Sequence, residues 1–320
     1  MVGELAGLIL GAPTRDAFGE ALREAGGQRA DLVVLDADVN NSTKTDGFRK
    51  AYPERFFNLG IAESNLVSVA SGLAACGKTP VIASFATFIL CNAFDQLRMS
   101  VAYPEMNVKV VGTHSGISIG EDGASQMGIE DVALACALPG FQVVVPCDEH
   151  STRAATRAVL AHHGPSYLRV GRGKQPLVYT AERAEAEFVI GKAVEVRAGN
   201  DVTLVANGFM VAAALDAAKL LADAGVDARV LDLHTVKPMD HEALTRAARE
   251  TGGLVVCEEH LHHGALGAAV AQSVAQHSPC RMAFVNLGDR FAESGKAEAL
   301  FEKYGLTGQQ IFEAARRLLS

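Results

Sequence analysis

Glu63 is the residue whose type and surroundings most directly suggest chemistry. It lies in the stretch 56–94, FFNLGIAESNLVSVASGLAACGKTPVIASFATFILCNAF, in which Lys78 carries the only other formal charge. Lys78 belongs to a Gly-Lys-Thr-Pro turn that solvent can reach, whereas Glu63 falls among apolar residues where a predicted strand gives way to a helix. Apolar walls raise the pKa of a carboxyl group and let it carry a proton near neutral pH. A helix-terminal acid bound by local backbone N–H groups is the competing interpretation.

Other chemically capable side chains follow the carboxyl ends of the predicted strands in the first half of the chain. Ligands bind beyond these ends in an open parallel sheet, because the ends meet at one edge. The set combines carboxylates, a hydroxyl, two aromatic rings, a histidine and an arginine. Its members are Asp36, Asp38, Ser42, Glu63, Phe85, Phe88, His114 and Arg172. We therefore expect a composite binding site at this edge.

The segment SGISIGEDGAS, residues 115–125, contains three glycines and carries Glu121 and Asp122 near its centre. Glycines allow positive φ angles and a close approach of the backbone to a ligand. A phosphate-binding loop would need lysine and no acids, so that interpretation is rejected. A metal site would need further ligands at suitable spacing. A binding lid and a solvated turn both remain compatible with the pattern.

The segment EEHLHHG, residues 258–264, has the highest density of potential metal ligands in the chain. Zinc sites on helices use histidines spaced as i and i+4, whereas His260, His262 and His263 follow the end of a predicted strand. We therefore predict no metal site in this chain and interpret the segment as an interdomain or subunit-contact loop.

Strands and helices alternate along the chain in a pattern typical of mostly parallel sheets covered on both faces. The 320 residues, of which 49% are hydrophobic, are enough for two domains with their own cores. Helices are predicted over 15–25, ending at Gly26-Gly27, and over 66–76. Six strands are predicted in the first domain, at 31–39, 56–59, 80–85, 107–114, 141–145 and 167–172. The strand at 56–59 is predicted to be buried.

The polar segment 171–188 interrupts this alternation and contains Pro176, so it is the predicted linker. Five shorter strands follow, at 193–196, 202–206, 228–233, 254–258 and 282–287. The predicted fold class is α/β, with two doubly wound α/β domains. We place the first domain at 1–180 and the smaller second domain at 186–320.

Composition and charge argue against several classes of function. A net charge of -8 and a pI of about 5.7 do not suit nucleic acid, which needs a basic surface. Six cysteines without a CxxC pair indicate free thiols in a reducing compartment. The first residues lack the pattern of a secretion signal, and no apolar run is long enough to span a membrane. We expect a cytoplasmic protein with no membrane partner.

Several segments together resemble the transketolases, the thiamine-diphosphate enzymes that transfer two-carbon ketol units. They occur in the family's order and cover nearly the whole chain. They are GIAESNLVSVASGLA at 60–74, SFATF at 84–88, THSGISIGEDG at 113–123, PSYLRVGR at 165–172, DLHTVKPMD at 232–240 and GDRFAESGKAEALFEKYGLT at 288–307. The resemblance implies a thiamine-diphosphate pyrimidine-binding domain followed by a transketolase C-terminal domain, which together form the back half of a full-length transketolase.

The front half of such an enzyme carries a Gly-Asp-Gly motif for a divalent cation and the cofactor diphosphate, and this sequence has no such motif. The resemblance therefore implies the β subunit of a split transketolase, active with a separate N-terminal α subunit as a homodimer or an α2β2 heterotetramer. Thiamine diphosphate would lie at the interface, with Mg2+ or Ca2+ held by the partner subunit. Because the chain begins with Met and a family-like start of the pyrimidine-binding domain, we expect a natural subunit. The implied reaction moves a ketol unit between ketose and aldose phosphates, as in the pentose phosphate pathway.

The resemblance also implies roles for individual residues. Glu63 matches the glutamate that hydrogen-bonds the aminopyrimidine of the cofactor and assists proton transfer there. Phe85 and Phe88 match aromatics packed against that ring, and Asp38 matches an acid near the thiazolium side. The residues that match contacts to the substrate are Arg15, Ser42, His114 and Arg172 for a sugar phosphate and Asp122 for a hydroxyl.

Gln126 departs from the family pattern, which usually has a histidine at this position. Glutamine forms hydrogen bonds but carries no proton at neutral pH. We therefore expect Gln126 to orient the substrate, with a changed donor preference or rate.

Three alternatives remain open from the sequence. Two are enzymes of the same superfamily, a deoxyxylulose-phosphate synthase-like chain and a 2-oxo acid dehydrogenase β subunit. The third is a catalytically silent scaffolding paralogue. The 113–123 segment and the arginine pattern favour a transketolase over the first two, and retention of Glu63, Phe85 and Arg172 argues against the third.

Overall fold

The structure is a computed structural model that describes residues 2–320. Its strands are β1 Leu10–Pro13, β2 Leu32–Asp36, β3 Phe56–Asn58, β4 Thr79–Phe85, β5 Lys109–Thr113, β6 Gln142–Val144, β7 Ser166–Arg169, β8 Lys174–Pro176, β9 Val194–Arg197, β10 Val202–Ala206, β11 Ala228–Asp232, β12 Thr235–Lys237, β13 Leu254–Cys257 and β14 Met282–Val285. Its α-helices are α1 Thr14–Gln28, α2 Asn40–Thr43, α3 Asp46–Ala51, α4 Glu63–Ala75, α5 Phe94–Gln96, α6 Asp131–Ala137, α7 Glu149–Ala161, α8 Ala181–Glu187, α9 Met210–Asp223, α10 His241–Glu250, α11 Leu266–His277, α12 Ala297–Tyr304 and α13 Gly308–Leu319. Short 3-10 turns lie at Pro53–Arg55 and Ile117–Ile119, and π-helical turns at Phe88–Asn92 and Leu97–Ala102.

The first sheet has seven strands in the order β12-β6-β7-β5-β4-β2-β3. The six strands predicted for the first domain are all present and run parallel. Side chains of β2 alternate between two core clusters, with Val34 in one and Val33 and Leu35 in the other. Both faces of the sheet are therefore covered, which confirms the doubly wound α/β prediction.

Strand β3 is an edge strand, and the prediction that it is buried was wrong. Phe56 is 9% exposed, but the next residue, Phe57, is 40% exposed. Among the described strands β3 pairs only with β2, so one face and one edge of it remain open. The apolar run at 56–59 is compatible with a buried strand, and only the strand order reveals the edge position.

Helix α1 continues through the glycine pair at which it was predicted to end. A Cβ atom on Gly26 would lie 2.5 Å from the ring of Tyr52 and 2.6 Å from the ring of Phe48. Glycine is therefore needed at this position for close packing of α1 against the α3 region, and it does not end the helix here.

The second sheet has five strands in the order β14-β13-β10-β11-β9, with β9 antiparallel to β11. All five strands predicted for the second half of the chain are present. The predicted linker is structured, because it contains β8, which pairs with β1, and α8. Strand β12 comes from the second half of the chain but pairs antiparallel with β6 of the first sheet. The domain limits at 180 and 186 remain a prediction.

None of the helices within residues 2–320 is both long and apolar enough to cross a membrane. The six cysteines are free thiols in the structure, and Cys147 and Cys257 are buried.

Candidate functional site

Glu63 is the first residue of α4, directly beyond the loop that follows β3. Its side chain is buried, with 6% of the residue exposed. Ser84 on β4 donates a hydrogen bond from Oγ to Glu63 Oε1 at 3.1 Å. Ser84 is the only side chain or backbone group within residues 2–320 that hydrogen-bonds this carboxylate. One carboxylate oxygen is therefore left for a ligand.

Three aromatic rings lie at or just beyond the ends of strands β4 and β5. The rings of Phe85 and Phe88 stack with centroids 5.5 Å apart and an interplanar angle of 8°. The His114 ring stacks on Phe85 at 3.8 Å. Phe85 follows Ser84 at the end of β4, and His114 follows the end of the neighbouring strand β5. Adjacent parallel strands thus bring together the predicted residues Glu63, Phe85, Phe88 and His114.

The protonation state of His114 follows from its hydrogen bonds. Arg15 Nη1 donates to His114 Nε2 at 2.8 Å, so Nε2 is an acceptor. The proton is then on Nδ1, which donates to Thr113 Oγ1 at 2.8 Å, while that hydroxyl donates to the carbonyl of Ser84 at 3.3 Å. Burial lowers the pKa of His114 to about 3, with further lowering by Arg15, Arg172 and Lys44. His114 is therefore neutral.

Three cations surround this histidine. Arg15 Nη1 also donates to the Ser42 carbonyl at 3.1 Å, which brings together the predicted residues Arg15, Ser42 and His114. Burial lowers the pKa of Arg15, with Asp16 opposing that shift and Arg172 adding to it. Arg15 Nε is buried and has no hydrogen-bond partner in the described part of the chain, but it forms an ion pair with Asp16 Oδ1 at 3.6 Å. A guanidinium beside other cations is suited to bind an anion.

Lys44 is a cation of this cluster that sequence reasoning missed. Its Nζ lies 3.6 Å from Asp16 Oδ1, and its backbone has a left-handed φ of 66°. The threonines on either side of it, Thr43 and Thr45, both donate to Asp36 Oδ2, at 2.7 and 2.9 Å. The hydrogen bonds of Thr43 and Thr45 therefore hold Lys44 in place. The two threonines that flank this lysine are the sequence feature from which its fixed position could have been predicted.

Arg172 and Asp122 are paired with each other. Arg172 Nη1 donates to Asp122 Oδ2 at 3.0 Å and to the Ile119 carbonyl at 3.1 Å. Both side chains are partly exposed. Gln126 is half-buried, and its backbone N–H donates to the Gly123 carbonyl at 3.1 Å. The structure thus places these three predicted residues along one loop and the strand end that it contacts.

The two predicted acids after β2 have different surroundings. Asp36 is buried and accepts hydrogen bonds from the Val39 N–H and the two threonine hydroxyls, so its role is local structure. Asp38 is exposed, has a φ of 64° and accepts a hydrogen bond from Asn58 Nδ2 at 2.7 Å. No described contact joins Asp38 to the cation cluster around Arg15. Its proximity to a thiazolium ring remains a prediction.

The segment at 258–264 does not gather its histidines for a metal. His260 is buried and accepts a 3.4 Å hydrogen bond from the Ala133 N–H, while His262 and His263 contact each other. Within residues 2–320, no group of three or more His, Cys, Asp or Glu side chains could hold a metal ion. Glu259 instead accepts a hydrogen bond from the Ser118 N–H at 2.6 Å. Sequence reasoning missed this contact, because 141 residues separate the two partners.

A cavity of about 540 Å³ lies away from Glu63. Its lining includes Ser118, Lys174, Phe209 and Phe301 but none of the carboxylate, aromatic and histidine groups described above. Those groups lie at the carboxyl ends of β4 and β5, two central strands of the first sheet.

The chain has two doubly wound α/β units. A buried carboxylate, stacked rings and cations lie at the strand ends of one sheet. These features define an α/β ligand-binding protein whose site lies at the carboxyl ends of the strands. The family model described as "Transketolase, pyrimidine binding domain" matches residues 11–176. The model described as "Transketolase, C-terminal domain" matches residues 191–311. The chain belongs to the transketolase family and corresponds to its C-terminal section.

Individual relatives agree with this assignment. The chain is 40% identical to the 6-deoxy-6-sulfo-D-fructose transketolase subunit SqwH of Clostridium sp. (strain MSTE9) over 304 residues, 95% of this chain and 94% of that protein. It is 35% identical to the transketolase of Homo sapiens over 96% of this chain but only 49% of that protein. A solved structure described as "Split gene transketolase, inactive beta4 tetramer" superposes with a TM-score of 0.88 at 44% identity, over 97% of this chain and 98% of that chain. The chain is thus similar to a β subunit of a split transketolase and spans about half of the human enzyme.

Thiamine diphosphate is the cofactor that this family implies. The residues present fit its pyrimidine half, because Glu63 is buried with one oxygen free of hydrogen bonds and the partly exposed Phe88 ring is held by stacking on Phe85. A carboxyl oxygen without a protein partner suits a polar ring atom of a bound ligand. The fit concerns only that half of the cofactor.

Proposed function

We propose that this chain is the C-terminal, β subunit of a thiamine-diphosphate-dependent transketolase that works with a separate N-terminal subunit. It transfers a two-carbon ketol unit from a ketose phosphate to an aldose phosphate. The observation that carries this proposal is the buried carboxylate of Glu63 at the start of α4, hydrogen-bonded to Ser84, the residue before the stacked ring of Phe85.

In this proposal Glu63 is the catalytic acid. It holds a proton at the ring nitrogen of the pyrimidine and thereby controls the reactivity of the cofactor, which when bound supplies the carbon nucleophile for the ketose. Ser84 orients the carboxylate through its 3.1 Å hydrogen bond. Phe85 and Phe88 would pack against the cofactor ring and exclude water from it, and Asp38 would hold the thiazolium side.

Arg15, Ser42 and Arg172 bind the phosphate of the sugar, with Lys44 as a further cation, and His114 holds Arg15 in place through its 2.8 Å hydrogen bond. Support comes from the three cations, Arg15, Arg172 and Lys44, whose charges all act on His114. Asp122 and Gln126 orient the sugar hydroxyls. The SqwH relative is named for a sulfonated sugar, so the anion of the natural substrate is either phosphate or an anion of similar shape.

The partner subunit supplies the binding site for the diphosphate and for Mg2+ or Ca2+. Two observations support this part of the proposal. The similarity to human transketolase covers only 49% of that protein. The carboxylate and rings also lie at or beyond the carboxyl ends of strands in the first sheet, outside the described cavity of about 540 Å³. We expect the enzyme to be a homodimer or an α2β2 heterotetramer and to be located in the cytoplasm.

Glu63→Gln tests the proposal in the enzyme reconstituted with an N-terminal transketolase subunit. Because glutamine cannot carry the proton, we expect kcat for ketol transfer to fall by at least about 100-fold with the fold intact. Steady-state assay with a ketose phosphate donor and an aldose phosphate acceptor measures this. Glu54→Gln, at an exposed glutamate paired with Arg55, is the matched control and should leave kcat unchanged.

The possible failures can be told apart. Full turnover by Glu63→Gln would rule out the role of Glu63 as the catalytic acid. Absence of ketol transfer by the unmodified reconstituted pair would instead rule out the proposed function.

A further inference from the structure

The second sheet's domain contacts the loop 115–123 of the first sheet at two places. Glu259, two residues beyond β13, accepts a hydrogen bond from the Ser118 N–H at 2.6 Å, and both residues are buried. Ser294, shortly before α12, donates a hydrogen bond to the Glu121 carbonyl. The loop that connects His114 to Asp122 is thus held by groups outside its own sheet.

The glycines of this loop face those groups. A Cβ atom on Gly116 would lie 2.2 Å from the carboxyl group of Glu259, and Gly116 has a φ of +71°. A Cβ atom on Gly120 would lie 3.1 Å from the Gly295 carbonyl. These two glycines therefore allow close approach to the C-terminal region of the chain, whereas the sequence alone suggested close approach to a ligand.

Glu259 is itself held in one position. Arg169 Nη2 donates to the carbonyls of Glu259 and Gly128, at 3.1 and 2.9 Å. Arg169 Nε donates to Asp131 Oδ2 at 2.8 Å. The Gly116 N–H donates to the same Gly128 carbonyl at 2.7 Å and so closes the loop at its base. Each of these groups is buried, so their hydrogen bonds do not compete with solvent.

The far end of the loop contacts the substrate residues. The Ile119 carbonyl accepts a hydrogen bond from Arg172, which also pairs with Asp122. A displacement of residues 117–119 would move the acceptor that orients Arg172. A loop fixed before binding loses less conformational entropy when the ligand arrives, so its order contributes directly to affinity.

We propose that Glu259 is a positioning residue, through which the C-terminal domain fixes the 115–123 loop and so sets the affinity of the substrate site. Ser294 has the same role at the other end of the loop. The identity of the substrate in this inference rests on the proposed function. The order of the loop does not depend on the proposed function.

The test compares Glu259→Leu with Glu259→Gln in the full-length chain. Leucine has a similar size but cannot accept the Ser118 hydrogen bond, whereas glutamine can. We expect Glu259→Leu to speed amide hydrogen exchange in residues 115–123 by at least about tenfold. In the reconstituted enzyme it should raise KM for the ketose phosphate about tenfold with a smaller change in kcat. Glu259→Gln should stay within about threefold of the unmodified protein in both measurements.

Thr307→Ala is the control for a purely structural effect, because Thr307 caps α13 in the same domain and its described side-chain hydrogen bond is to Gln310, outside the loop. It should lower Tm without changing loop exchange or KM.

If Glu259→Leu does not fold, Ser294→Ala replaces it, since Ser294 is exposed and its loss should speed exchange only near residues 120–123. The proposal is overturned if the folded variants exchange in this loop as Thr307→Ala does. The exchange measurement needs no turnover, so a failure of ketol transfer in the unmodified enzyme would count against the proposed function alone.

Discussion

The proton on His114 is placed by its neighbours on both ring nitrogens. A guanidinium can only donate, so Arg15 makes Nε2 an acceptor and leaves the proton on Nδ1 towards Thr113. Any sugar phosphate in this site would therefore meet a neutral imidazole between cations. His114 acts by shape and by holding Arg15, and it does not supply positive charge.

We predict that His114 does not titrate between pH 5 and pH 8. Burial and the nearby cations lower its pKa to about 3 from an ordinary value of 6.5. The unfolded chain binds a proton here below about pH 6.5 and the folded chain does not, so this residue makes the fold less stable as pH falls from 6.5 towards 3. NMR of the histidine-labelled chain, with His114→Asn for assignment, measures the titration. A His114 signal that titrates near pH 6.5 would contradict the tautomer and the charge state described here.

Lys44 offers a second prediction at the scale of one side chain. Lys44→Met removes a cation near the Arg15 cluster, and partial exposure limits the loss to about 1 kcal/mol of anion binding. We expect KM for a phosphorylated acceptor to rise about fivefold in the reconstituted enzyme, with kcat unchanged. Lys44→Arg keeps the charge and is the control. An equal change for an uncharged acceptor such as glycolaldehyde would show that the effect is not electrostatic.

At the scale of elements, one carboxylate joins a helix to the segment after β8. Asp148 caps α7 by accepting a hydrogen bond from the Ser151 N–H at 2.8 Å. Its other oxygen accepts from the N–H groups of Val178 and Tyr179, each at 2.8 Å. Asp148 is fully buried, and the hydrogen bonds from Ser151 and Tyr179 are buried with it, so these two donors have no alternative partner in solvent.

Asp148→Ala should therefore lower the free energy of unfolding by about 3 kcal/mol, since it leaves three N–H donors unpaired, of which those of Ser151 and Tyr179 are buried and that of Val178 is partly buried. Thr180→Ala is the matched control, because Thr180 caps α8 through a single hydrogen bond to the Arg183 N–H. Its cost should be about 1 kcal/mol or less. Urea unfolding followed by circular dichroism compares the two. Equal losses would mean that the contacts with Val178 and Tyr179 contribute little.

At the scale of the whole molecule, the two sheets share structure and should unfold together. Strand β12 lies between two strands of the second sheet in the chain but pairs with β6 of the first. Lys237 at its end donates from Nζ to the carbonyls of Cys136, in the last turn of α6, and Leu138, its C-cap, at 3.1 and 2.6 Å. The second half of the chain thus adds an edge strand to the first sheet and supplies hydrogen bonds to the end of helix α6.

We predict that the chain unfolds in a single cooperative transition. Lys237→Met should lower the free energy of unfolding by about 2 kcal/mol, because charged hydrogen bonds in a half-buried position are lost. Lys192→Met makes the same change at an exposed lysine paired with Glu242, and it should cost no more than about 0.5 kcal/mol. Calorimetry and urea unfolding measure both. Two separate transitions in the unmodified chain would contradict the shared structure.

Local pattern was enough to predict the elements and the class of fold. The alternation of strands and helices is set by hydrophobic periodicity over a few residues, and it placed β2, β4, β5 and β10 within a few residues of their observed limits. The rule that ligands bind beyond parallel strand ends selected Glu63, Phe85 and His114, which the structure joins through Ser84 and through ring stacking. The motifs at 60–74 and 113–123 identified the family. All of this information lies in short stretches of sequence.

Tertiary structure decided what depends on residues far apart in the chain. Helix α1 continues through Gly26 because the ring of Tyr52 packs where a side chain would be, and β3 is exposed because no described strand lies beyond it. Lys44 joins the cation cluster only because its neighbours bind Asp36. The contact between Ser118 and Glu259 brings together residues 141 positions apart. Periodicity records which face of an element is buried, whereas the partner on that face is chosen only when the sheets and helices pack.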